Sequence, residues 1–323
     1  MENRDVKIVF MGTPSFAVPS LKGLLDAGYN ITGVVTAPDK AAGRGRKTRF
    51  SPVKEFALQQ RLDVLQPVSL KDPDFINRLK DIQPDLQVVV AFRMLPEIVW
   101  NLPPLGTFNL HASLLPQYRG AAPINHAIMR GEKVTGLTTF FLDKEIDTGK
   151  IIHQVKIEIG DDEDFGHLHD RMMEEGAKLV VRTVDDIIRN RVKPVSQKDL
   201  YGENTVLYPA PKLFKEDCRI NWKDKVQNIY NKVRGLSPYP AAYTMVKLKD
   251  GDEFLMKVYR VKAEAGEHSD PAGSFLSDGK TYLKVGAADG FVHLLEVQLQ
   301  GKRRLPVADF LRGFKIEKVK NFG

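Results

Sequence analysis

The densest polar cluster in an apolar setting is Gly106–Pro123, GTFNLHASLLPQYRGAAP. Its first residues read as a strand. On a strand, Asn109 and His111 stand two residues apart and project from one face, with Phe108 and Leu110 turned to the other, into the core. An amide donor can stabilise a developing oxyanion, and an imidazole that titrates near neutrality can take or relay a proton. The competing account is a buried, satisfied histidine with a capping asparagine. The strand-end position and the turn SLLPQYRG that follows bring the chemical account level with it. A later strand ends in Leu142–Gly149, LDKEIDTG, with three acids in five residues. Glu145 is expected to face solvent. A carboxylate in a tight turn before Gly149 can reach across and orient His111, a pairing used in many acid–base sites. Spacing alone does not choose between Asp143 and Asp147.

These residues need a scaffold, and the first 150 residues supply alternating strand and helix patterns. Strands are expected at Val6–Met11, Ile31–Thr36, Leu62–Leu65, Leu86–Ala91, Thr107–Leu110 and Leu137–Leu142. Helices are expected within Ser15–Ala27, Val53–Gln60, Asp74–Asp81 and Ala122–Arg130. Pro19 should delay or kink the first, and Ser51 with Pro52 reads as an N-cap and first turn. LQVVVA is apolar throughout, as in a strand buried on both faces. The alternation predicts a Rossmann-like, doubly wound, mostly parallel α/β sheet, with ligands outside the carboxyl ends of the strands. A long helix ends at Thr183–Asn190. Residues 191–215 are polar and proline-punctuated and read as a linker. Residues 216–323 give one helix, Val226–Arg234, and short strands at Ala242–Leu248, Glu253–Val261, Gly273–Leu276, Thr281–Val285 and Phe291–Gln298, with Asp-Gly turns at 250, 278 and 289. That pattern predicts a small β-barrel. The expected division is 1–190, a linker at 191–215, and 216–323.

The bulk numbers fit a globular protein with a core: 323 residues, 42% hydrophobic and 28% charged. A single cysteine, Cys218, excludes a disulfide framework and a cysteine-rich metal site, and its neighbours do not form a nucleophile elbow. The N-terminal apolar run is too short for a signal or a membrane span, so a cytoplasmic protein is expected. The net charge of +7 is uneven. Residues 1–200 carry 27 basic and 26 acidic side chains, and residues 201–323 carry 21 and 15. A local patch adds to this: Lys40–Lys54 holds six Lys or Arg and no acid, centred on GRGRKTRF. A large acidic partner, nucleic acid first, would explain both.

At FMGTPSFAVPSL, PDKAAGRGRK, SPVKEFA, LGTFNLHASLLPQYRGAAPI, TGLTTFFLDKEIDTG, YPAPKLFKEDCRINW and GLSPYPAAYT, spread over the whole chain, the sequence resembles the methionyl-tRNA formyltransferases, within the wider 10-formyltetrahydrofolate-dependent formyltransferases. The resemblance implies a Rossmann-like domain, a linker and an OB-like barrel. It implies Asn109, His111 and Asp147 as the catalytic set, and so chooses between the acids. It implies folate contacts at Ser113, Leu114, Leu115 and Pro116 and at Phe92, Arg93, Met94 and Leu95, with Asp143 beside them. It implies tRNA contacts at Arg44, Arg46, Lys47 and Lys212, Arg44 nearest the acceptor end. It implies 10-formyltetrahydrofolate as co-substrate, and no metal or nucleotide cofactor is expected. It implies initiator methionyl-tRNA as partner, and a monomer is expected. One segment departs. The family's Ala-Tyr-Gly-x-x-Leu-Pro is here Ala91–Pro96, AFRMLP, one residue shorter with Arg93 in place of glycine. The pocket is expected to persist, because backbone groups do much of the pterin recognition, with its shape changed.

Other features are assigned simpler roles. FMGTPSF carries one glycine and is not a dinucleotide fingerprint, which excludes an NAD-dependent oxidoreductase. The acids of GDDEDFGHLHD read as a solvated helix start rather than a metal site. Trp222 and Tyr239 are candidates for base stacking, with burial the more usual fate. Gly301–Arg304, GKRR, is a charged turn that either touches phosphates or faces water. Two alternatives remain beside the tRNA enzyme: a sugar-nucleotide N-formyltransferase with the same Asn-x-His…Asp set, and a non-catalytic RNA-binding protein. The basic loop argues against the first and the intact Asn109, His111 and Asp147 against the second.

Overall fold

The computed structural model describes residues 5–42, 47–202 and 204–323. They form two compact units: 1–120 with 135–157 and 169–209, and 121–134 with 158–168 and 210–323. Arg44 and Arg46, and the Lys47 side chain, lie outside the described residues.

In the first unit, β1 (Lys7–Gly12) leads through a 3-10 turn at Ser15–Ala17 into α1 (Val18–Asp26). The helix starts three residues late because Pro19, lacking an N–H, fits only its first turn. Then come β2 (Asn30–Val35), the short arms β3 (Lys40–Ala42) and β4 (Lys47–Arg49), and α2 (Pro52–Gln59). As expected, Ser51 caps α2, its hydroxyl accepting from the Lys54 N–H at 3.1 Å. β5 (Val64–Leu65) is only two residues long, followed by α3 (Pro73–Ile82), β6 (Leu86–Val90), α4 (Glu97–Trp100) and β7 (Thr107–His111). The chain leaves for α5 (Pro123–Met129), which belongs to the second unit, and returns as β8 (Val134–Phe141) and β9 (Ile151–Glu158), then α6 (Phe165–Ile188).

The sheet order is β5-β2-β1-β6-β7-β8-β9. The first five strands are parallel, the doubly wound arrangement expected. All five residues of β6 are buried, which is why its run shows no polar alternation. β8 runs antiparallel to β7, with His111 opposite Thr138 and Phe108 opposite Phe141. The expected carboxylate turn therefore leaves at the far end of β7 and must double back to meet His111. β9 is an additional strand, and Val195 pairs with Ile151 on it through two backbone hydrogen bonds of 2.8 and 2.9 Å. Val9, Met11, Val35, Leu79 and Val89 pack into one buried cluster on this sheet.

The second unit holds α7 (Val226–Leu236), β10 (Ala242–Leu248), β11 (Glu253–Ala265), β12 (Phe275–Ser277), β13 (Leu283–Ala287), β14 (Gly290–Leu299), β15 (Leu305–Pro306), α8 (Val307–Gly313) and β16 (Val319–Phe322). The strands form one antiparallel, barrel-like sheet, β12-β13-β14-β11-β10-β16. Its two edges are stitched at Gly273, whose N–H donates to Gly286 O at 2.9 Å and whose carbonyl accepts from Phe322 N–H at 2.8 Å. A side chain there would sit 2.1 Å from the Phe322 carbonyl, at a φ of +83°, so only glycine fits.

Candidate active site

β7 ends at the carboxyl edge of the parallel strands, where the sequence placed Asn109 and His111. His111 is buried and Asn109 half-buried. The residue opposite Asn109 on β6 is Val89, and on β8 Phe140. Among the described residues the Asn109 amide has no hydrogen-bond partner, so its donors are available. His111 Nε2 lies 2.8 Å from Tyr118 O. A carbonyl only accepts, so Nε2 carries the hydrogen and the ring's other nitrogen is set by that bond. Nδ1 faces Asp147 Oδ2 at 3.8 Å, beyond direct hydrogen-bond reach. A neutral His111 thus presents a bare Nδ1 beside a carboxylate.

Asp147 itself is held from both sides. Its Oδ2 accepts the Gly120 N–H at 2.9 Å. Its backbone sits in the left-handed region at φ 55°. Two residues on, Gly149 has no room for a side chain, since a Cβ would fall 1.7 Å from the Phe141 carbonyl. The loop doubles back sharply here, which is how an antiparallel β8 still delivers a carboxylate to His111. Asp143 is exposed and its Oδ1 accepts the neighbouring Lys144 N–H at 2.7 Å. The two acids that spacing left open are separated by geometry: Asp147, not Asp143, meets the imidazole.

The other expected residues divide. Ser113 is fully buried and its hydroxyl donates to Gln117 O at 2.6 Å. Leu115 is buried, with Leu114 and Pro116 half-buried, and the Leu115-Pro116 peptide is cis. Phe92 and Leu95 pack against the sheet cluster, while Met94 is 75% exposed. The Arg93 guanidinium turns to the chain itself: Nη1 donates to Val68 O at 2.8 Å and Nη2 to Pro67 O. Desolvation at that site pushes its pKa down. Lys212 is exposed, its ammonium 5.5 Å from the Phe214 ring centre.

The curated relatives and family models agree along the chain. A formyl transferase model matches residues 6–184, and a formyl transferase C-terminal domain model matches residues 212–315. A methionyl-tRNA formyltransferase of Bacteroides thetaiotaomicron is 53% identical over 318 residues, covering 98% of each chain. One of Phocaeicola vulgatus is 55% identical over 316 residues, again covering 98% of each. The chain belongs to the methionyl-tRNA formyltransferase family. Among solved structures, a sugar 3N-formyl transferase, WlaRD, crystallised with dTDP and 5-N-formyl-THF, has a TM-score of 0.62 at 20% identity, covering 92% of this chain and 99% of that one. That likeness is one of fold.

The family assignment rests on the length of the chain, and the structure adds residues around the site that sequence reasoning did not find. Thr138 on β8 donates to Ser113 O at 2.6 Å and accepts from Leu115 N–H at 3.1 Å. Gln154 on β9 donates to Leu115 O at 2.8 Å. These ties fix the Ser113–Pro116 turn. Further support comes from residues 195–209, inside the stretch expected as a linker. Tyr118 N–H donates to Tyr208 O at 2.7 Å, and Gln117 exchanges hydrogen bonds with Val206 O and Tyr208 N–H. Gln197 is buried and reaches the Asp147 loop. No periodic pattern marked these contacts, because they are made by isolated polar side chains and backbone groups. Features given simpler roles also found places. Trp222 is buried, its indole N–H donating to Thr244 Oγ1 at 2.9 Å, while Tyr239 is 75% exposed. In the GKRR turn, Arg304 pairs with Glu296 at 2.6 Å and lies over the Tyr259 ring.

Proposed function

We infer that this chain transfers the formyl group of 10-formyltetrahydrofolate to the α-amine of initiator methionyl-tRNA, giving N-formylmethionyl-tRNA. The observation that carries the reading is the end of β7, where an Asn109 amide without a partner among the described residues and a buried His111 stand beside Asp147 in a chain with relatives of this activity along its length.

The chemistry is addition of the amine nitrogen to the formyl carbon, with the carbonyl pair moving to oxygen, followed by loss of N10. Asn109 Nδ2 donates to the oxygen as its charge develops, an interaction stronger in the transition state than in the ground state. His111, its Nε2–H committed to Tyr118 O, accepts the amine proton at Nδ1, directly or through water, and passes it to N10 as that bond breaks. Asp147 faces the Nδ1–H so formed and stabilises the imidazolium. The Ser113–Pro116 turn, the Phe92–Leu95 loop and Asp143 are read as the folate side. Arg93 serves there by fixing the backbone of its loop to Pro67 and Val68, not by a charge offered to ligand.

The basic segment is read as the tRNA contact. β3 and β4 pair antiparallel and form two arms on either side of residues 43–46. Arg44, Arg46 and Lys47, with Lys212, supply cations for phosphates and unpaired bases. Charged tRNA places the work in the compartment of translation, the cytoplasm, and a monomer suffices for it. The deciding assay mixes protein, 10-formyltetrahydrofolate and charged initiator tRNA and measures formylmethionine. Absence of product there, with product on an amino-sugar nucleotide, overturns the reading. Arg44→Ala is expected to weaken use of tRNA, reduce the salt dependence of tRNA binding and leave folate binding intact.

A further inference from the structure

The loop that carries Asp147 is tied to a residue fifty positions downstream, in a stretch without helical or strand periodicity. Gln197 is 2% exposed. Its Nε2 donates to Asp147 O at 2.8 Å and to Gly149 O at 2.9 Å. Its Oε1 accepts from Arg119 Nε at 3.1 Å and from Arg119 Nη2 at 2.6 Å. A glutamine amide has two N–H donors and two carbonyl lone pairs, and here all four are used. The orientation is unambiguous. A flipped amide would set oxygen against two carbonyls and N–H groups against a guanidinium.

What Gln197 joins matters more than how well it is satisfied. On one side it holds the backbone of the loop that carries Asp147, at its left-handed residue and at the glycine where the chain doubles back. On the other it holds Arg119, whose neighbour Gly120 donates the hydrogen bond that aims the Asp147 carboxylate. Carboxylate and donor are thus referred to one buried amide. His111 belongs to the same frame, since Tyr118, the acceptor of its Nε2–H, precedes Arg119 in the same turn. A backbone in the left-handed region does not hold itself there for a non-glycine residue, and the loop has left the sheet ladder.

We propose that Gln197 is a positioning residue for formyl transfer: it sets the distance between Asp147 and His111 by clamping the Asp147 loop to the Arg119-Gly120 turn. This rests on the reading of Asp147 given above. It differs from a general packing role because its effect should reach catalysis only through Asp147.

The test is a double-mutant cycle in the full chain, with formylation of charged initiator tRNA as the readout and thermal melts alongside. Gln197→Met keeps the volume and removes all four hydrogen bonds. It is expected to lower kcat about tenfold to a hundredfold, the scale of a small misplacement of reacting groups, with KM for each substrate within about threefold. Gln197→Glu keeps an acceptor for Arg119 but aims a carboxylate at two carbonyls, so it is expected to be at least as slow. In an Asp147→Ala background, Gln197→Met should cost nothing further. Wild-type kcat in Gln197→Met beside a slow Asp147→Ala overturns the inference alone, as does an equal loss in both backgrounds. A wild-type kcat in Asp147→Ala removes the reading beneath it and the inference together. If Gln197→Met does not fold, Arg119→Met cuts the other half of the same tie. It is read by the same cycle, with non-additivity supporting the proposal and additivity overturning it.

Discussion

The sheet around β7 and the barrel strands of the second unit solve burial in different ways. Around β7 the interior is polar: Gln87, Thr107, His111, Ser113, Thr138, Thr139 and Gln197 are all buried. In the barrel strands, Thr244 is the one buried polar side chain among the described residues, and the core is Val246, Met256, Val258, Val285, Val292 and their neighbours. The barrel's charges stay near the surface, as in Arg304 with Glu296 and Glu264 with Lys284. A buried polar group must be paired, and pairing is directional, whereas apolar burial is not. The first unit accepts that constraint where atoms must be aimed. The barrel spends its interior on stability.

The comparison breaks if the two interiors respond alike to substitution. The largest effects should be catalytic and confined to the first. Removing one oxyanion donor typically costs about 10²–10³ in rate and a general base about 10²–10⁴. Asn109→Ala, His111→Ala and Asp147→Ala are each expected to lower kcat on this scale, in single-turnover formylation, with melting temperatures close to wild type. A near-normal kcat in His111→Ala would sink its assignment. The next effect belongs to the barrel and should be thermodynamic. Phe322 is 2% exposed and packs edge-on against Phe275 at 5.6 Å. Phe322→Ala is expected to lose about 3–5 kcal/mol of stability in denaturant titration, the usual cost of such a cavity. At temperatures well below its melting point, kcat per folded molecule should hold. A reversal, with Phe322→Ala folding normally and failing in chemistry, would erase the distinction.

The same contrast explains what the sequence disclosed. Apolar runs and turn residues made most elements legible in both units, because periodic burial leaves a periodic record. That is why β6, α2 and β10 fell where they were expected, and why Asn109 and His111 could be singled out as candidates by their i, i+2 spacing. β16 and α8 were missed: each is short, with too few residues to show a period. Asp147 could not be chosen from spacing, since the choice depends on the antiparallel course of β8 and the doubling back at Gly149. Gln197 left no signal either. One glutamine in a polar stretch looks like any other, and only its four partners distinguish it. Arg93, by contrast, was visible as a departure, but where its guanidinium turns was not.

The smallest expected effect tests the barrel's surface charges. Glu264 accepts hydrogen bonds from Lys284 at 2.9 Å and from His293. These partners, Lys284 first, pull its pKa from the ordinary 4.5 down to about 2. A carboxyl whose pKa is lower in the folded chain stabilises the fold when ionised. That contribution is complete above about pH 4.5, where the unfolded group is also ionised, and fades as pH falls toward 2. The group is solvent-exposed and screened, so the magnitude is small and should shrink further with salt. Glu264→Gln is therefore expected to melt slightly below wild type at neutral pH, with the two curves converging as the pH falls from 4.5 toward 2, while formylation at neutral pH is unchanged. If the gap instead widened on acidification, the carboxyl would be a liability in the folded barrel, and the division between a directional polar interior and a charge-neutral apolar one would have to admit strain at the barrel's own surface.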